Sequence, residues 1–249
     1  MANNYKNSVY CKYYRQVDYT RYNAKIFNIK ARSMKIPINN IKFVLLDMDG
    51  TLLDKYFDDY FWGNLLPERY ADKHHVTLGK AREELIKQYR AHEGTLNWTD
   101  LDFWSRELDL DVPALKEQIK HLIEVHPHVE DFLKTVKKQG KKLHLVTNAH
   151  YKSIDLKLKK TRLGKYFNSV LSSFDVGYPK ESLSFWKEAE TRLGFDRGKT
   201  LLVDDSEEIL KTAGQYGIKY IVHKAKASSR IEPKRSGDFF CIFDFRELM

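Results

Sequence analysis

Phe43-Val44-Leu45-Leu46-Asp47-Met48-Asp49-Gly50-Thr51 is the stretch that decides the fold. Four apolar residues without alternation read as a parallel strand buried on both faces, and the polar residues follow at its carboxyl end. The same pattern recurs along the chain. Leu143-His144-Leu145-Val146 runs into Thr147-Asn148, and Thr200-Leu201-Leu202-Val203 runs into Asp204-Asp205. Ser169-Val170-Leu171-Ser172 leads on to Gly177-Tyr178-Pro179-Lys180. In open α/β sheets ligands bind in the crevice beyond the carboxyl ends of the strands. Separate strands therefore deliver carboxylates, a hydroxyl and an amine to one place.

Between these strands the pattern turns helical. Helices are expected over His128–Gly140, Ser153–Leu163 ending at Gly164, Glu181–Leu193 ending at Gly194, and up to Tyr216 before Gly217. Tyr220-Ile221-Val222 and Cys241-Ile242-Phe243 supply the last strands. Alternating strands and helices imply a Rossmann-like, three-layer α/β/α core around a parallel sheet. Residues 54–125 break that alternation. They lack strand-like runs, and Ala81, Leu85 and Tyr89 share one helical face, as do Leu115, Ile119 and Leu122. This stretch reads as an α-helical cap inserted into a core of residues 34–53 and 126–249.

Residues 1–33 stand apart. They carry seven Lys and Arg against the single Asp18, a net +6, so the remainder holds only +3 of the formal +9. The arm is rich in tyrosine and poor in aliphatic residues, which favours disorder over a packed element. One account makes Met34 the natural start; the other makes the arm a basic, aromatic segment that binds an acidic partner. The first is the expectation. No apolar stretch is long enough for a membrane helix, and the arm lacks the apolar segment of a secretory signal. Cys11 and Cys241 form no spaced motif, so a reducing cytoplasm is the expected setting.

The chemistry follows from residue types. Asp47, at a strand end, is expected to be ionised near the ordinary aspartate value of about 3.9 and available as a nucleophile. Asp49 can give a proton to a leaving oxygen and later take one from water. Gly50 permits the tight turn that bends the chain over the site. Asp204 and Asp205 are adjacent like charges, costly without a cation, and magnesium accepts such hard oxygen ligands. One of them is expected also to cap the following helix. Thr147, Asn148 and Lys180 can hold a phosphate. His121, His126 and His128 lack a metal-ligand frame and read as hinge or surface residues. Lys157-Leu158-Lys159-Lys160 reads as a solvated helix face. Tyr60, Phe61, Trp62, Trp98, Phe103 and Trp104 read as cap core before ligand contacts, although a purine could stack on such a ring. Asp58, Asp59 and Asn97 are the polar candidates for the edges of a base.

With these residues in this order, the sequence resembles the haloacid dehalogenase superfamily of phosphotransferases. Its four motifs are matched by Asp47 to Thr51, Thr147, Lys180 and Asp204-Asp205, and the resemblance covers residues 34–249. Many relatives place the lysine directly after the glycine; here Tyr178 holds that position and Lys180 is the candidate. Phe57-Asp58-Asp59-Tyr60-Phe61-Trp62, Thr95-Leu96-Asn97-Trp98 and Gly177-Tyr178-Pro179-Lys180-Glu181 are similar to the bacterial GMP/IMP 5′-nucleotidase branch. The resemblance implies that Asp47 forms an aspartyl-phosphate, that Asp49 is the acid/base, and that Thr147 and Lys180 bind the phosphoryl oxygens. It also implies magnesium held by Asp47, the Asp49 carbonyl and Asp205, with Asp204. The expected activity is hydrolysis of purine nucleoside 5′-monophosphates. The rivals are a phosphatase of sugar phosphates or pyrimidine nucleotides and, from another class, a nucleic-acid-binding protein that uses the basic arm.

Overall fold

The computed structural model describes residues 36–249, so the basic arm, Met34 and Cys11 lie outside the described residues. Six strands form one parallel sheet: β1 (Phe43–Leu46), β2 (Lys142–Thr147), β3 (Ser169–Ser172), β4 (Thr200–Asp204), β5 (Tyr220–Lys224) and β6 (Phe240–Ile242), in the order β3-β2-β1-β4-β5-β6. The apolar runs fall where the sequence places them because both faces are covered. Val44, Leu46, Leu143, Leu145, Leu201 and Val203 pack on one face, against helix α6 (Val129–Lys138) and Phe245. Leu45, Val146 and Leu202 pack on the other, against α9 (Leu183–Leu193) and α10 (Glu207–Tyr216).

The register does the positioning. Leu46 stands opposite Leu145 on one side and Val203 on the other. One residue further, Asp47 is level with Val146 and Asp204, so side chains far apart in sequence emerge at the same height.

The segment between β1 and β2 is helical throughout: α1 (Tyr56–Tyr60), a π turn (Phe61–Leu65), α2 (Leu66–His74), α3 (Leu78–His92), α4 (Leu101–Leu108) and α5 (Val112–Gln118). The π turn shifts the buried stripe, so Phe57, Phe61 and Leu65 are followed at once by Leu66 and then Tyr70. Trp62, Tyr89, Trp98, Phe103 and Trp104 meet largely edge to face, with Tyr89 and Trp104 centroids 5.2 Å apart. The chain's exit and re-entry lie side by side. Leu53 bridges Val125, Asp54 N–H donates to Glu124 O (2.9 Å), and His126 N–H donates to Leu52 O (2.9 Å). This pairing supports the proposal that residues 54–125 are a cap on the core.

Two boundaries differ from expectation. Helix α7 spans Tyr151–Thr161 and ends at Arg162, which adopts the left-handed conformation (φ 58°) two residues before Gly164. Leu115, Ile119 and Leu122 do not share one helix: α5 stops at Gln118 and a 3-10 turn carries Lys120–Leu122. Polar residues on short helices make such ends hard to place from pattern alone.

Trp186 on α9 is fully buried, and its Nε1–H donates to Lys180 O at 2.8 Å. Truncation removes that anchor along with a large core side chain. Trp186→Ala should cost about 3–5 kcal/mol, read as a lowered urea midpoint.

Candidate active site

Asp47 follows β1 directly and is 6% exposed. Lys180 reaches it from the loop after α8 (Ser173–Val176), a short helix closed by Gly177 at φ 78°. The Lys180 Nζ donates to Asp47 Oδ1 (2.6 Å), Asp204 Oδ2 (2.7 Å) and Val146 O (3.2 Å). The lysine two residues beyond Tyr178 thus occupies the central position. Burial favours its neutral amine, but Asp204 and Asp47 outweigh that and hold its pKa above the ordinary lysine value.

Carboxylates exceed cations at this point. Asp47 is pushed up to about 7, first by burial, with Lys180 opposing and Asp204 and Asp205 adding. The ordinary value near 3.9 expected from the sequence is therefore corrected: removal from water and two neighbouring carboxylates favour the proton. Asp205, at the β4 end, is paired with Lys55 Nζ at 3.2 Å. Carboxylate oxygens of Asp47, Asp204 and Asp205 lie within 4.8 Å of one another. A surplus of hard, negatively charged oxygens at that spacing fits a divalent cation such as magnesium. Asp204 is not the helix cap: its Oδ1 accepts from Ser206 N–H (2.9 Å), while the Ser206 hydroxyl oxygen accepts from Ile209 N–H (3.4 Å) to cap α10.

The remaining predicted residues hold the frame together. Thr147 is 2% exposed and its Oγ1 accepts from Ala149 N–H (3.1 Å). Asn148 Oδ1 accepts from Lys180 N–H (2.9 Å) and its Nδ2 donates to Glu181 Oε2 (2.9 Å), so this amide secures the lysine loop. From the helical insertion, Thr99 Oγ1 donates to Asn148 O at 2.6 Å.

Asp49 has an environment that the sequence reading missed. Its Oδ1 accepts from Lys157 Nζ at 2.7 Å, and the same ammonium donates to Asp58 Oδ2 at 2.6 Å. Asp58 Oδ1 accepts in turn from Lys116 Nζ at 2.6 Å. Lys157 is 1% exposed and Lys116 2%. Lys159 and Lys160 are solvated, but the solvated-face reading fails for Lys157, which points inward from α7 beside Ile154. Asp49 is pushed up to about 6 by burial, with Lys157 opposing and Asp58 and Asp47 adding. For Asp58, burial is outweighed by Lys116 and Lys157, which hold its pKa well below the usual range. Asp58 is thereby committed to the two lysines. Asp59 is pushed up to about 7 by burial, with Lys55 opposing and Asp58 and Asp205 adding.

A second trio, Asp100, Asp102 and His150, also brings ligand atoms within 4.8 Å. Its carboxylates are otherwise engaged: Asp100 caps α4, and Asp102 accepts from Tyr151 OH and pairs with Lys152. The charge surplus sits at Asp47, Asp204 and Asp205. His126 Nε2 faces Ala227 O (3.1 Å) at the chain crossing, and His121 is exposed, in keeping with hinge and surface positions.

Comparison with known proteins agrees with this architecture. A family model described as haloacid dehalogenase-like hydrolase matches residues 41–217. The chain belongs to the haloacid dehalogenase-like hydrolases. It is 38% identical over 216 residues to the GMP/IMP nucleotidase YrfG of Escherichia coli (strain K12), covering 87% of this chain and 97% of that one. It is 29% identical over 214 residues to pyrophosphatase PpaX of Bacillus velezensis, covering 76% and 88%. Among solved structures, a haloacid dehalogenase-like phosphatase from Thermococcus onnurineus superposes with a TM-score of 0.71 at 27% identity, covering 84% of this chain and 96% of that one. The polar motifs lie at the carboxyl edge of the sheet. Among the described residues no helix is long and apolar enough to cross a membrane.

Gly50 fixes how closely that edge is drawn together. It adopts φ 85°, and a Cβ there would lie 2.4 Å from Asp205 Oδ2. Both the conformation and the contact exclude a side chain. Gly50→Ala should lower stability by about 1 kcal/mol or more and displace Asp205. Thermal unfolding checks the first effect, and isothermal titration with magnesium, expected to show weakened binding, checks the second.

Proposed function

We propose that this phosphoric monoester hydrolase is a magnesium-dependent nucleotidase of purine nucleoside 5′-monophosphates, working through an aspartyl-phosphate on Asp47. The observation that carries the chemistry is the meeting of Asp47 with Lys180, Asp204 and Asp205, while Asp49 stands two residues away with its own buried cation. The substrate class rests on likeness to the GMP/IMP nucleotidase over nearly the whole of that relative.

In this reading an Asp47 carboxylate oxygen attacks phosphorus in line as the ester oxygen leaves. Asp49 gives its proton to that oxygen, so the nucleoside departs as an alcohol. Asp49 then takes a proton from water, whose oxygen attacks phosphorus. The bond from phosphorus to Asp47 breaks, releasing phosphate and restoring both carboxyl groups. Lys180 neutralises charge at the phosphoryl group, and Thr147 offers a hydroxyl near it. Asp47, Asp205 and the Asp49 carbonyl would hold magnesium, with Asp204 beside them. When bound, the ion supplies positive charge to the phosphoryl oxygens and favours the carboxylate form of Asp47. A value near 6 suits Asp49 to both proton transfers at neutral pH.

In this reading the insertion covers this edge, with Asp59, near Lys55 and Asp205, and Asn97 as its polar candidates for the leaving group. Asp58 drops out of that role because both its oxygens are taken by lysines. Likeness to a pyrophosphatase keeps other phosphoryl compounds as the alternative substrates.

Phosphate release from GMP, IMP, AMP, CMP and sugar phosphates, with magnesium or with EDTA, tests the reading. Release is expected to be strongest from GMP and IMP and lost in EDTA. Asp47→Asn should abolish turnover, and Asp49→Asn should lower it by about 10²–10⁴-fold. Activity centred on sugar phosphates would keep the mechanism and discard the purine assignment. Retained release by Asp47→Asn would overturn the nucleophile.

A further inference from the structure

The chain Asp49–Lys157–Asp58–Lys116 is a second buried ionic array, beside the one centred on Lys180. Four alternating charges run in sequence with spacings of 2.7, 2.6 and 2.6 Å, and both ammonium groups are buried. The four residues come from four places: the loop after β1, α7 of the core, and α1 and α5 of the insertion. Phe57, Phe61 and Trp62 close around Lys116, with its Nζ 4.5 Å from the Phe61 ring centroid. The Lys157 Nζ lies 5.3 Å from the Phe57 centroid.

Such an array is a poor device for stability alone. Taking charges out of water costs several kcal/mol per ion, and well-packed apolar residues commonly do as well or better. What charges add is direction. An ammonium caught between two carboxylates has one place to be, and each carboxylate it binds is turned to meet it. Lys157 meets Asp49 through Oδ1, which leaves Oδ2 to carry the proton.

We propose that Lys157 is a positioning residue: it fixes the Asp49 carboxyl for proton transfer to the leaving oxygen and is itself held by Asp58 and Lys116 of the insertion. This rests on the phosphatase reading above, with Asp49 as acid and base. Lys157 forms and breaks no bond to phosphorus. The proton still passes from Asp49 to the ester oxygen as the phosphorus–oxygen bond breaks, and returns from water in the second step. Because half of the chain belongs to the insertion, Asp49 is correctly held only when the insertion is seated on the core.

The leaving group provides the test. A nucleoside alkoxide needs the proton, whereas 4-nitrophenolate leaves without it. Lys157→Met should lower kcat on GMP by roughly 10²-fold, the lower end of what a general acid supplies, with KM changed by less than about threefold. In a single turnover, which reads the leaving-group step alone, guanosine release from GMP should fall by roughly 10²-fold and 4-nitrophenolate release from 4-nitrophenyl phosphate by less than about fivefold, which also shows that the variant is folded. Lys157→Arg, which keeps a cation, should recover much of the GMP rate. Adding Lys157→Met to Asp49→Asn should cost nothing further, since both remove the same step.

Equal losses of guanosine and 4-nitrophenolate release in a single turnover would overturn the proposal, because a structural defect does not distinguish leaving groups. Additive losses in the double variant would also overturn it. If the wild-type protein released phosphate from neither substrate, the reading of the site itself would fall, and this inference with it.

Discussion

The ammonium of Lys180 is shared by Asp47 and Asp204, and the rest of the site is arranged to keep it there. It joins the ends of β1 and β4 and touches the Val146 carbonyl of β2, so one group spans three strands at the same height. Removing one partner from a buried pair typically costs about 3–5 kcal/mol, because the other charge is stranded. Several neighbours serve this lysine. Asn148 accepts its backbone N–H, and Trp186 donates to its carbonyl. Residues that look like ligand contacts thus work in part by holding the cation in place.

A second lysine gives Asp49 a separate environment. Asp47 and Asp49 lie two residues apart, yet one pairs with a core loop and the other with α7 and, through it, the insertion. With these partners Asp47 stands near 7 and Asp49 near 6, the reverse of the order needed by a nucleophile that must be ionised and an acid that must be protonated. A divalent cation at Asp47, Asp204 and Asp205 would act chiefly on Asp47, lowering its value, and so separate the two. In the proposed mechanism, the same carboxyl surplus that draws a cation to Asp47 would thereby separate the two roles.

The sheet edge was legible because its signal is local. A parallel strand buried on both faces must be an apolar run, and its first polar residue marks the edge. Asp47, Thr147 and Asp204 were readable for that reason, and Lys180 by its place between them in order. The solvated-face reading of Lys157 and the silence on Lys116 both missed a signal that was present. Lys157 falls on the inward stripe of α7 with Ser153 and Ile154, and Lys116 lies beside Val112 and Leu115 on α5. A lysine at a core-facing position needs a buried partner. The exposed Lys159 and Lys160 hid this in a run of like charges. The partners themselves lie 108 and 99 residues from Lys157, beyond any local pattern.

The insertion is therefore held by two unlike kinds of interaction. The aromatic cluster of Trp62, Tyr89, Trp98 and Trp104 gives the insertion its own interior, and burial of that kind tolerates small slides. The ionic chain does not: a shift of about 1 Å turns a 2.6–2.7 Å bond into one beyond hydrogen-bonding range. Thr99 adds another directional link, to the Asn148 carbonyl beside the lysine loop. Apolar packing keeps the insertion folded, while these polar links set where it rests. They end on Asp49 and on the Lys180 loop, the groups to which the proposed mechanism gives the proton transfer and the phosphoryl charge.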